Sequence, residues 1–175
     1  MAFFYPKLRT LLYTIRSDRE ITDADRITEI IEECKIMRIG FNDNGEVYIV
    51  PLNYGHEETD GKHYFYFHGA KAGRKYNLVK NAKDTLDVGF EMDSGYALLP
   101  AETACDYSAA YRSIIGKGKI SLVHGNEAKR HGLELIMKEA TGKEDWNFPM
   151  PMLLAVAVFC LEVTEMACKE RKIGK

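Results

Sequence analysis

Two tight-turn dipeptides limit the folds open to this chain more than any other feature. Asn44-Gly45 lies between stretches that alternate in the manner of β-strands, and Asp60-Gly61 comes shortly before an aromatic strand-forming run. Residues of this type accept the positive φ angles that a two-residue hairpin needs. The strand-forming stretches are Met37–Phe41, Val47–Asn53 and His63–His68. Strands joined by short turns pair in antiparallel fashion, so the sequence predicts a hairpin at Asn44-Gly45.

Three more strands and three helices complete the predicted elements. The other strands are expected at Leu86–Met92, Tyr111–Val123 and Leu154–Val163, and the apolar run Met150–Leu161 is interpreted as a buried strand. Helical spacing predicts one helix with the stripe Ile27, Ile30, Ile31 and Cys34, a short basic one over about 71–80, and a third over about 127–140. Six strands with few helices favour a mainly β, α+β fold, a small closed or half-closed barrel.

Composition narrows the function classes and the compartment. A length of 175 residues with 46% hydrophobic residues suits one domain with a real core, and a net charge of −2 argues against a dedicated nucleic-acid partner. The four cysteines lack CxxC spacing, which is typical of reduced thiols in a cytoplasmic protein. The longest apolar run, 12 residues, is too short to span a bilayer, so no membrane partner is expected.

Several common catalytic motifs are missing from the sequence. No GxGxxG opens a helix after a strand, and neither a P-loop nor a GxSxG elbow occurs. His63 and His68 are five residues apart on a predicted strand, so they face opposite sides and do not chelate one metal together. A hydrolase built from Cys105 with His68 or His124 has no support from spacing, and no metal site is predicted.

The segment that carries most chemistry is FHGAKAGRKYNLVKNA, residues 67–82. Gly69 and Gly73 let the backbone approach an anion closely, and a helix starting near Lys71 would offer free N–H groups. Lys71, Arg74 and Lys75 add cationic donors, of which Arg binds phosphate in bidentate fashion. The segment is interpreted as a phosphate cradle, and a basic, solvated helix face is the alternative.

Two further clusters are candidates on local grounds. Arg112 lies in an otherwise apolar strand and needs an anionic partner, which would be an Asp or Glu across the sheet, for example Glu91 or Glu162, or a ligand. Pro51 removes an N–H from the strand ladder and therefore suits an edge strand or a bulge. The backbone groups beside it would then be free to bond a flat heterocycle, or the position is simply a strand end.

Five motifs in order resemble one family. RSDREITD (16–23), PLNYG (51–55), YFHGAKAGRK (66–75), LVKNA (78–82) and YRSIIGKG (111–118) are similar to the flavin-binding split-barrel proteins. The chain looks most like the branch related to nitroimidazole-resistance (Nim) proteins and more distantly like pyridoxamine 5′-phosphate oxidases. The likeness extends from about residue 16 to residue 165, so residues 1–15 are predicted to be an N-terminal extension and residues 16–175 a single flavin-binding domain.

The resemblance implies a six-stranded antiparallel split β-barrel with flanking helices, assembled as a homodimer with flavin mononucleotide (FMN) between the subunits. FAD remains open as the cofactor. The ring would lie along residues 50–54 and the phosphate against the basic segment, with the YRS motif approaching from the second subunit. The implied cofactor-binding residues are Val50, Pro51, Leu52, Asn53, Tyr54, His68, Gly69, Ala70, Lys71, Gly73, Arg74, Lys75, Arg112 and Ser113.

The implied function is a flavin-dependent oxidoreductase that reduces nitroaromatic, 5-nitroimidazole-type, or other small acceptors, with NADH or NADPH as the donor to test first. His68 occupies the position of the histidine to which the redox role in Nim proteins is ascribed, so it is the candidate catalytic residue. One alternative is a flavin- or haem-binding protein without efficient catalysis, with His68 or His131 as the haem ligand. Another is a structural homodimer with an empty groove.

Overall fold

The computed structural model describes residues 16–173, so the predicted N-terminal extension at residues 1–15 lies outside the described residues. Within residues 16–173 the chain forms a 3₁₀ turn, eight strands and four α-helices. The strands are β1 (Glu20–Ile21), β2 (Met37–Asp43), β3 (Glu46–Leu52), β4 (Gly55–Thr59), β5 (Lys62–Ala70), β6 (Leu86–Leu99), β7 (Ser108–Leu122) and β8 (Val156–Arg171). The helices are α1 (Ala24–Glu33), α2 (Arg74–Asn81), α3 (Asn126–Thr141) and α4 (Met150–Ala155).

The strands form one antiparallel sheet in the order β3-β2-β6-β7-β8-β5-β4, with β1 paired to β8. Strands β3 and β4 are its two edges. The predicted mainly β, antiparallel split barrel of the α+β class is therefore confirmed. The six predicted strands correspond to β2, β3, β5, β6, β7 and β8, and the short strands β1 and β4 are additional. Strand β4 is polar and five residues long, so no apolar alternation marks it in the sequence.

A hairpin turn forms at Asn44-Gly45, as predicted, and a second one forms at Asp60-Gly61. Asn44 and Gly45 have φ angles of 54° and 93°, and Asp60 and Gly61 have 53° and 74°. These values suit the two-residue turns that match the twist of paired strands. They connect β2 to β3 and β4 to β5 in continuous register. The turn between β2 and β3 matters for the site because acidic residues flank it.

Strand β5 packs on both of its faces. On one face, Phe65 and Phe67 are fully buried in the main hydrophobic core. Tyr66 points to the other side, where α3 and α4 form a second apolar cluster around Leu153 and Val158. A strand covered on both faces reads as a continuous aromatic run, as HYFYFH does. The second cluster fixes α3 and α4 against the end of β5.

Two helix boundaries differ from the predictions. Met150–Ala155 is helix α4, so the interpretation of the whole run Met150–Leu161 as a strand was wrong for its first half. Pro151 in the first turn and the helix-favouring Met, Leu and Ala residues account for the helix. Helix α2 begins at Arg74 instead of near Lys71, because Gly73 has a φ of 91° and therefore lies outside the helical region.

Candidate functional site

The loop between β5 and α2 presents unpaired backbone donors. The first helical hydrogen bond of α2 runs from the Asn77 N–H to the Gly73 carbonyl, and no side chain caps the helix. The N–H groups of the first turn therefore have no partner within the helix. With Lys71 and Gly73 in the loop and Lys75 in the first turn, the end of β5 and the start of α2 bring together most of the predicted phosphate cradle.

Lys75 lies over the end of the barrel without a carboxylate. Its ammonium group is 4.7 Å from the centre of the Phe159 ring and 3.5 Å from the His68 carbonyl. Burial lowers the pKa of this ammonium group, and no carboxylate among residues 16–173 pairs with it. Gly69 makes room for the lysine, because a Cβ atom there would lie 3.3 Å from Lys75 Nζ. The arrangement keeps a cation at the mouth of the loop.

Lys71 and a lysine that the sequence analysis did not single out, Lys129, lie beside the same loop. The Lys71 ammonium group donates to the Leu154 carbonyl at 2.5 Å, and that of Lys129 donates to the Leu153 carbonyl. Both carbonyls belong to α4, so these two lysines meet at its end. Lys129 comes from α3, 58 residues after Lys71, and no local motif connects the two positions.

Arg74 differs from the three lysines because its charge is already compensated. Its guanidinium bonds Asp43 at 2.7 Å and Glu46 at 3.0 Å, on either side of the β2–β3 turn. It also lies 4.8 Å from the centre of the Tyr48 ring. Contact with a phosphate would require exchange of these partners. The contacts do bring the start of α2 against β3, the strand predicted to hold the flavin ring.

The predicted ring-binding residues of β3 lie on an edge of the sheet. Pro51 is exposed on this edge strand, as its missing N–H predicts, while Val50 and Leu52 turn inward against the core. Val50 is two residues from Tyr48, which is about 7 Å along a strand, so this stretch lies near the start of α2. The backbone edge of β3 is the part of this stretch that a planar ligand could bond.

Asn53 and Tyr54, the other predicted ring-binding residues, have structural contacts. The Tyr54 hydroxyl donates to the carbonyls of Ile31 and Cys34 at 2.6 and 2.9 Å, and only 2% of the residue is exposed. Asn53 donates its amide to the Lys35 carbonyl at 3.2 Å. Both side chains hold the end of α1 against the barrel, which leaves their backbone for any contact with a ligand.

His68 stands exposed near the end of β5, two positions before the loop. Desolvation lowers the pKa of its imidazole, and the positive charge of Lys75 lowers it further. The ring is therefore neutral at physiological pH, with one N–H to donate and one nitrogen to accept. Ala70, the remaining residue of the motif, is exposed at the last position of the strand.

Arg112 and Ser113 do not join the other predicted residues within one chain. They pair with Glu170 and Lys169 on β8, whereas His68 and Gly69 pair with Val158 and Ala157 on the same strand. The twelve positions between Val158 and Glu170 correspond to about 40 Å of extended strand. One subunit therefore places the YRS motif at the far end of the barrel from the β5–α2 loop.

Arg112 belongs to an ion network around Glu170. The Glu170 side chain is 4% exposed and accepts from Arg26 at 2.6 Å and from Arg112 at 3.2 Å. Arg112 also pairs with Glu33 at 2.8 Å. The acidic partner predicted across the sheet is therefore present, but it is Glu170 on β8, and the two examples Glu91 and Glu162 were wrong. Glu91 pairs with Arg38, and Glu162 with Lys62.

Other chemistry-bearing groups lie away from the loop. His56 and His63 stack with 2.9 Å between ring nitrogens, and burial lowers the pKa of both, that of His56 to about 4. A cavity of about 320 Å³ between α3 and the loop after it is lined by Trp146 and by His131, the alternative haem ligand, but by none of the predicted flavin-binding residues. Across residues 16–173, no group of three or more His, Cys, Asp or Glu could hold a metal ion. In the same range no helix has the length and apolar character to cross a membrane.

Comparison with known proteins supports the resemblance seen in the sequence. Residues 23–170 match the sequence profile of the family described as pyridoxamine 5′-phosphate oxidase. Among solved structures, a candidate 5-nitroimidazole antibiotic resistance protein from Bacteroides thetaiotaomicron is 29% identical, with a TM-score of 0.72 and 86% of each chain covered. No curated protein matches the chain.

Two more distant structures share the fold. The flavocytochrome Anf3 from Azotobacter vinelandii is 20% identical, with a TM-score of 0.73 over 91% of this chain and 72% of that one. A protein from Mycobacterium smegmatis that binds FAD and heme is 15% identical, with a TM-score of 0.75 over 90% of this chain and 76% of that one. At these identities the likeness establishes the architecture alone.

Proposed function

The chain belongs to the pyridoxamine 5′-phosphate oxidase family, and on that premise we propose that it binds a flavin nucleotide, FMN in the first instance, and uses it to reduce small acceptors of the nitroaromatic class. The observation that carries the proposal is the set of lysines at the β5–α2 loop. Lys71 and Lys75 have backbone carbonyls or an aromatic ring as partners, and among residues 16–173 no carboxylate neutralises either. Such cations stabilise a bound anion.

The residues present fit the phosphate end of a flavin nucleotide. The free N–H groups of the first turn of α2 and the ammonium groups of Lys71 and Lys75 supply hydrogen-bond donors, and the glycine at position 73 lets the backbone approach an anion closely. Gly69 lacks a side chain that would displace Lys75. The backbone edge of β3 would bond the flavin ring beside Val50 and Pro51. Asn53 and Tyr54 keep that edge in place by anchoring its end to α1.

Arg112 and Ser113 would contact the flavin from a second copy of the chain. A single subunit holds them far from the loop, so only a dimer brings them to the cofactor. Apolar side chains with large exposed fractions support such an assembly: Val47 at 74%, Ile49 at 61%, Tyr96 at 72% and Leu98 at 56%. Exposed apolar patches of this kind mark interaction surfaces. The homodimer and the location of the flavin at its interface are part of the proposal.

A bound flavin would supply the redox chemistry between a nicotinamide donor, NADH or NADPH, and the acceptor. The chain's own residues would bind the flavin, orient it and donate hydrogen bonds. Lys75 holds positive charge near the loop, which favours an anionic ligand over a neutral one. His68, whose pKa is lowered first by burial and then by the positive charge of Lys75, would donate a hydrogen bond from its neutral imidazole N–H to the acceptor and stabilise the negative charge that develops there.

The visible absorption spectrum of the purified protein tests the proposal first. A flavin spectrum with one FMN per chain, identified by mass after release, is the expected result. Reduction by NADH or NADPH and reoxidation by a 5-nitroimidazole would then establish the reaction. Protein that is colourless and takes up neither added FMN nor added FAD would refute the proposal. A flavin that no nicotinamide donor reduces would leave binding without catalysis, and a Soret band would indicate haem instead.

A further inference from the structure

Only two charged residues among residues 16–173 are buried, and they differ in their surroundings. Lys129 and Glu170 each expose 8% of their surface. Glu170 has three cationic neighbours, Arg26, Arg112 and Lys172, at 2.6 to 3.8 Å. Among residues 16–173, Lys129 forms no ion pair, and its one polar partner is the Leu153 carbonyl. A buried charge without a counter-charge is costly, so Lys129 requires an explanation.

The charged side chain that influences the pKa of Lys129 is another cation, Lys71. Burial lowers the pKa of the Lys129 ammonium group, and the positive charge of Lys71 lowers it further. Residues outside the described range offer no acidic side chain, because residues 1–15 contain neither Asp nor Glu and residues 174–175 are Gly and Lys. The described residues therefore supply no carboxylate that balances these two lysines.

Capping of helix α4 explains the position of the two lysines but not their charge. Lys71 and Lys129 donate to the carbonyls of Leu154 and Leu153, which lie in the last turn of α4. Lysines near the end of a helix commonly bond such carbonyls. One carbonyl uses one of the three N–H donors of an ammonium group. Two neighbouring ammonium groups therefore keep free donors and repel each other unless an anion lies between them.

We propose that Lys129 and Lys71 form an anion subsite that binds a phosphoryl group of the ligand held at the β5–α2 loop. The inference rests on the proposed function for the identity of that ligand. Lys71 belongs to the same loop as Gly73, so the subsite is continuous with the phosphate cradle. The phosphoryl group comes either from FMN itself or from the second phosphate of FAD, which share the same chemistry.

The test compares Lys129→Met with a matched control, Lys138→Met. Lys138 lies on the same helix but is exposed and paired with Glu144. Riboflavin, FMN and FAD are titrated against each apo protein. Lys129→Met should weaken FMN or FAD binding by about tenfold, the loss of one charge-assisted hydrogen bond, with riboflavin unaffected. A loss for FMN as well as FAD identifies the single phosphate, and a loss for FAD alone identifies the second one. Lys129→Arg should restore most of the affinity.

The thermal midpoint of the apo protein provides a second readout. Because Lys129→Met removes an unpaired buried charge and keeps a side chain of similar length, its midpoint should equal or exceed that of the wild type. Unchanged nucleotide affinity together with a lower midpoint would show that Lys129 only caps α4, and would overturn the proposal. If Lys129→Met does not fold, Lys71→Met at the exposed partner must show the same selective loss, and unchanged affinity there overturns the proposal too.

Failure of the proposed function is separable from failure of the subsite. If the wild-type protein binds no flavin, inorganic phosphate and pyrophosphate serve as the probes, with thermal stabilisation as the readout. Stabilisation of the wild type and of Lys138→Met, but not of Lys129→Met, supports the subsite without any flavin. Equal stabilisation of all three proteins, or of none, refutes it.

Discussion

The charged side chains at the two ends of strand β8 differ in whether opposite charges compensate them. At its carboxyl end, Glu170 is enclosed by Arg26, Arg112 and Lys172, so the charges compensate each other within one subunit. At its amino end, beside α4 and Phe159, the ammonium groups of Lys71, Lys75 and Lys129 meet no carboxylate among residues 16–173. A compensated network stabilises the fold, whereas an uncompensated cluster costs stability and is expected where a ligand binds.

Removing Glu170 should produce the largest effect on stability. Glu170→Gln leaves two arginines at a nearly buried position without their shared carboxylate. Because both arginines are partly exposed, we expect a loss of about 2–4 kcal/mol in the free energy of unfolding, below the full cost of a broken buried pair. Urea unfolding measures it. Glu165→Gln, on the same strand but more exposed, is the control, and equal losses in the two variants would contradict the compensated network.

Acid unfolding separates the Glu170 network from a third group, the histidine pair of the β4–β5 hairpin. The folded pKa of His56 is lowered to about 4 from 6.5, and that of His63 is lowered too. The unfolded chain therefore binds more protons below pH 6.5, so stability is lost as the pH falls from 6.5 towards 4. His56 alone contributes up to about 3 kcal/mol.

The folded pKa of Glu170 is also lowered, so its contribution disappears only as the pH falls below about 4.5. Urea midpoints between pH 3 and 8 should show two successive losses. His56→Leu should flatten the upper one, and His124→Gln, an exposed control, should not. A profile flat down to pH 4 in the wild type would exclude the histidine contribution.

His68 tests whether the uncompensated end performs chemistry in addition to binding. His68→Ala should retain flavin, because the cradle uses backbone and lysine donors, and should lose turnover by about 100-fold if the imidazole N–H stabilises charge that develops on the acceptor. Nitro-group reduction with saturating donor measures the loss. Since the pKa of His68 is lowered, the wild-type rate should stay level from pH 7 to 8. Unchanged turnover in the variant would remove His68 from the mechanism.

Lys75→Met tests whether the loss of an uncompensated cation weakens ligand binding without lowering the stability of the fold. The substitution keeps the aliphatic contact with Phe159 and removes the cation. We expect FMN affinity to fall about tenfold while the apo protein is no less stable, the reverse of the result at Glu170. Fluorescence titration and urea unfolding give the two values. Lys80→Met on the same helix is the control, and a drop in stability without a change in affinity would make Lys75 a structural residue.

We expect the smallest change in FMN affinity from substitutions around Arg74, because carboxylates already compensate the charge of this cation beside the β5–α2 loop. Asp43→Asn removes one of its two acidic partners. The freed guanidinium should improve FMN affinity about twofold to threefold, consistent with an exposed ion pair. Asp87→Asn, which removes the exposed partner of Lys119, is the control. Weaker binding in Asp43→Asn would show that the acidic pair positions Arg74 for the ligand.

The amino-acid sequence by itself determined the local elements of this protein and its family. The Asn44-Gly45 and Asp60-Gly61 turns, the strand alternation and the glycine-rich basic segment depend on neighbouring residues, so periodicity and turn chemistry predict them. The cap of α1 by Asp23 and the end of α3 at Gly142 are local in the same sense. The six long strands follow from these patterns, and so does the assignment of the loop after β5 as the candidate site.

Only the tertiary structure decided which charges are compensated. Arg74 finds Asp43 and Glu46 about thirty residues away, Arg112 finds Glu170 instead of Glu91 or Glu162, and Lys129 reaches the loop of Lys71 from another helix. These pairs depend on the register of strands and the placement of helices far apart in the chain, which no local pattern records. The candidate site at the β5–α2 loop is therefore identified by lysines that have no carboxylate partner among residues 16–173, and this is a property of the folded molecule.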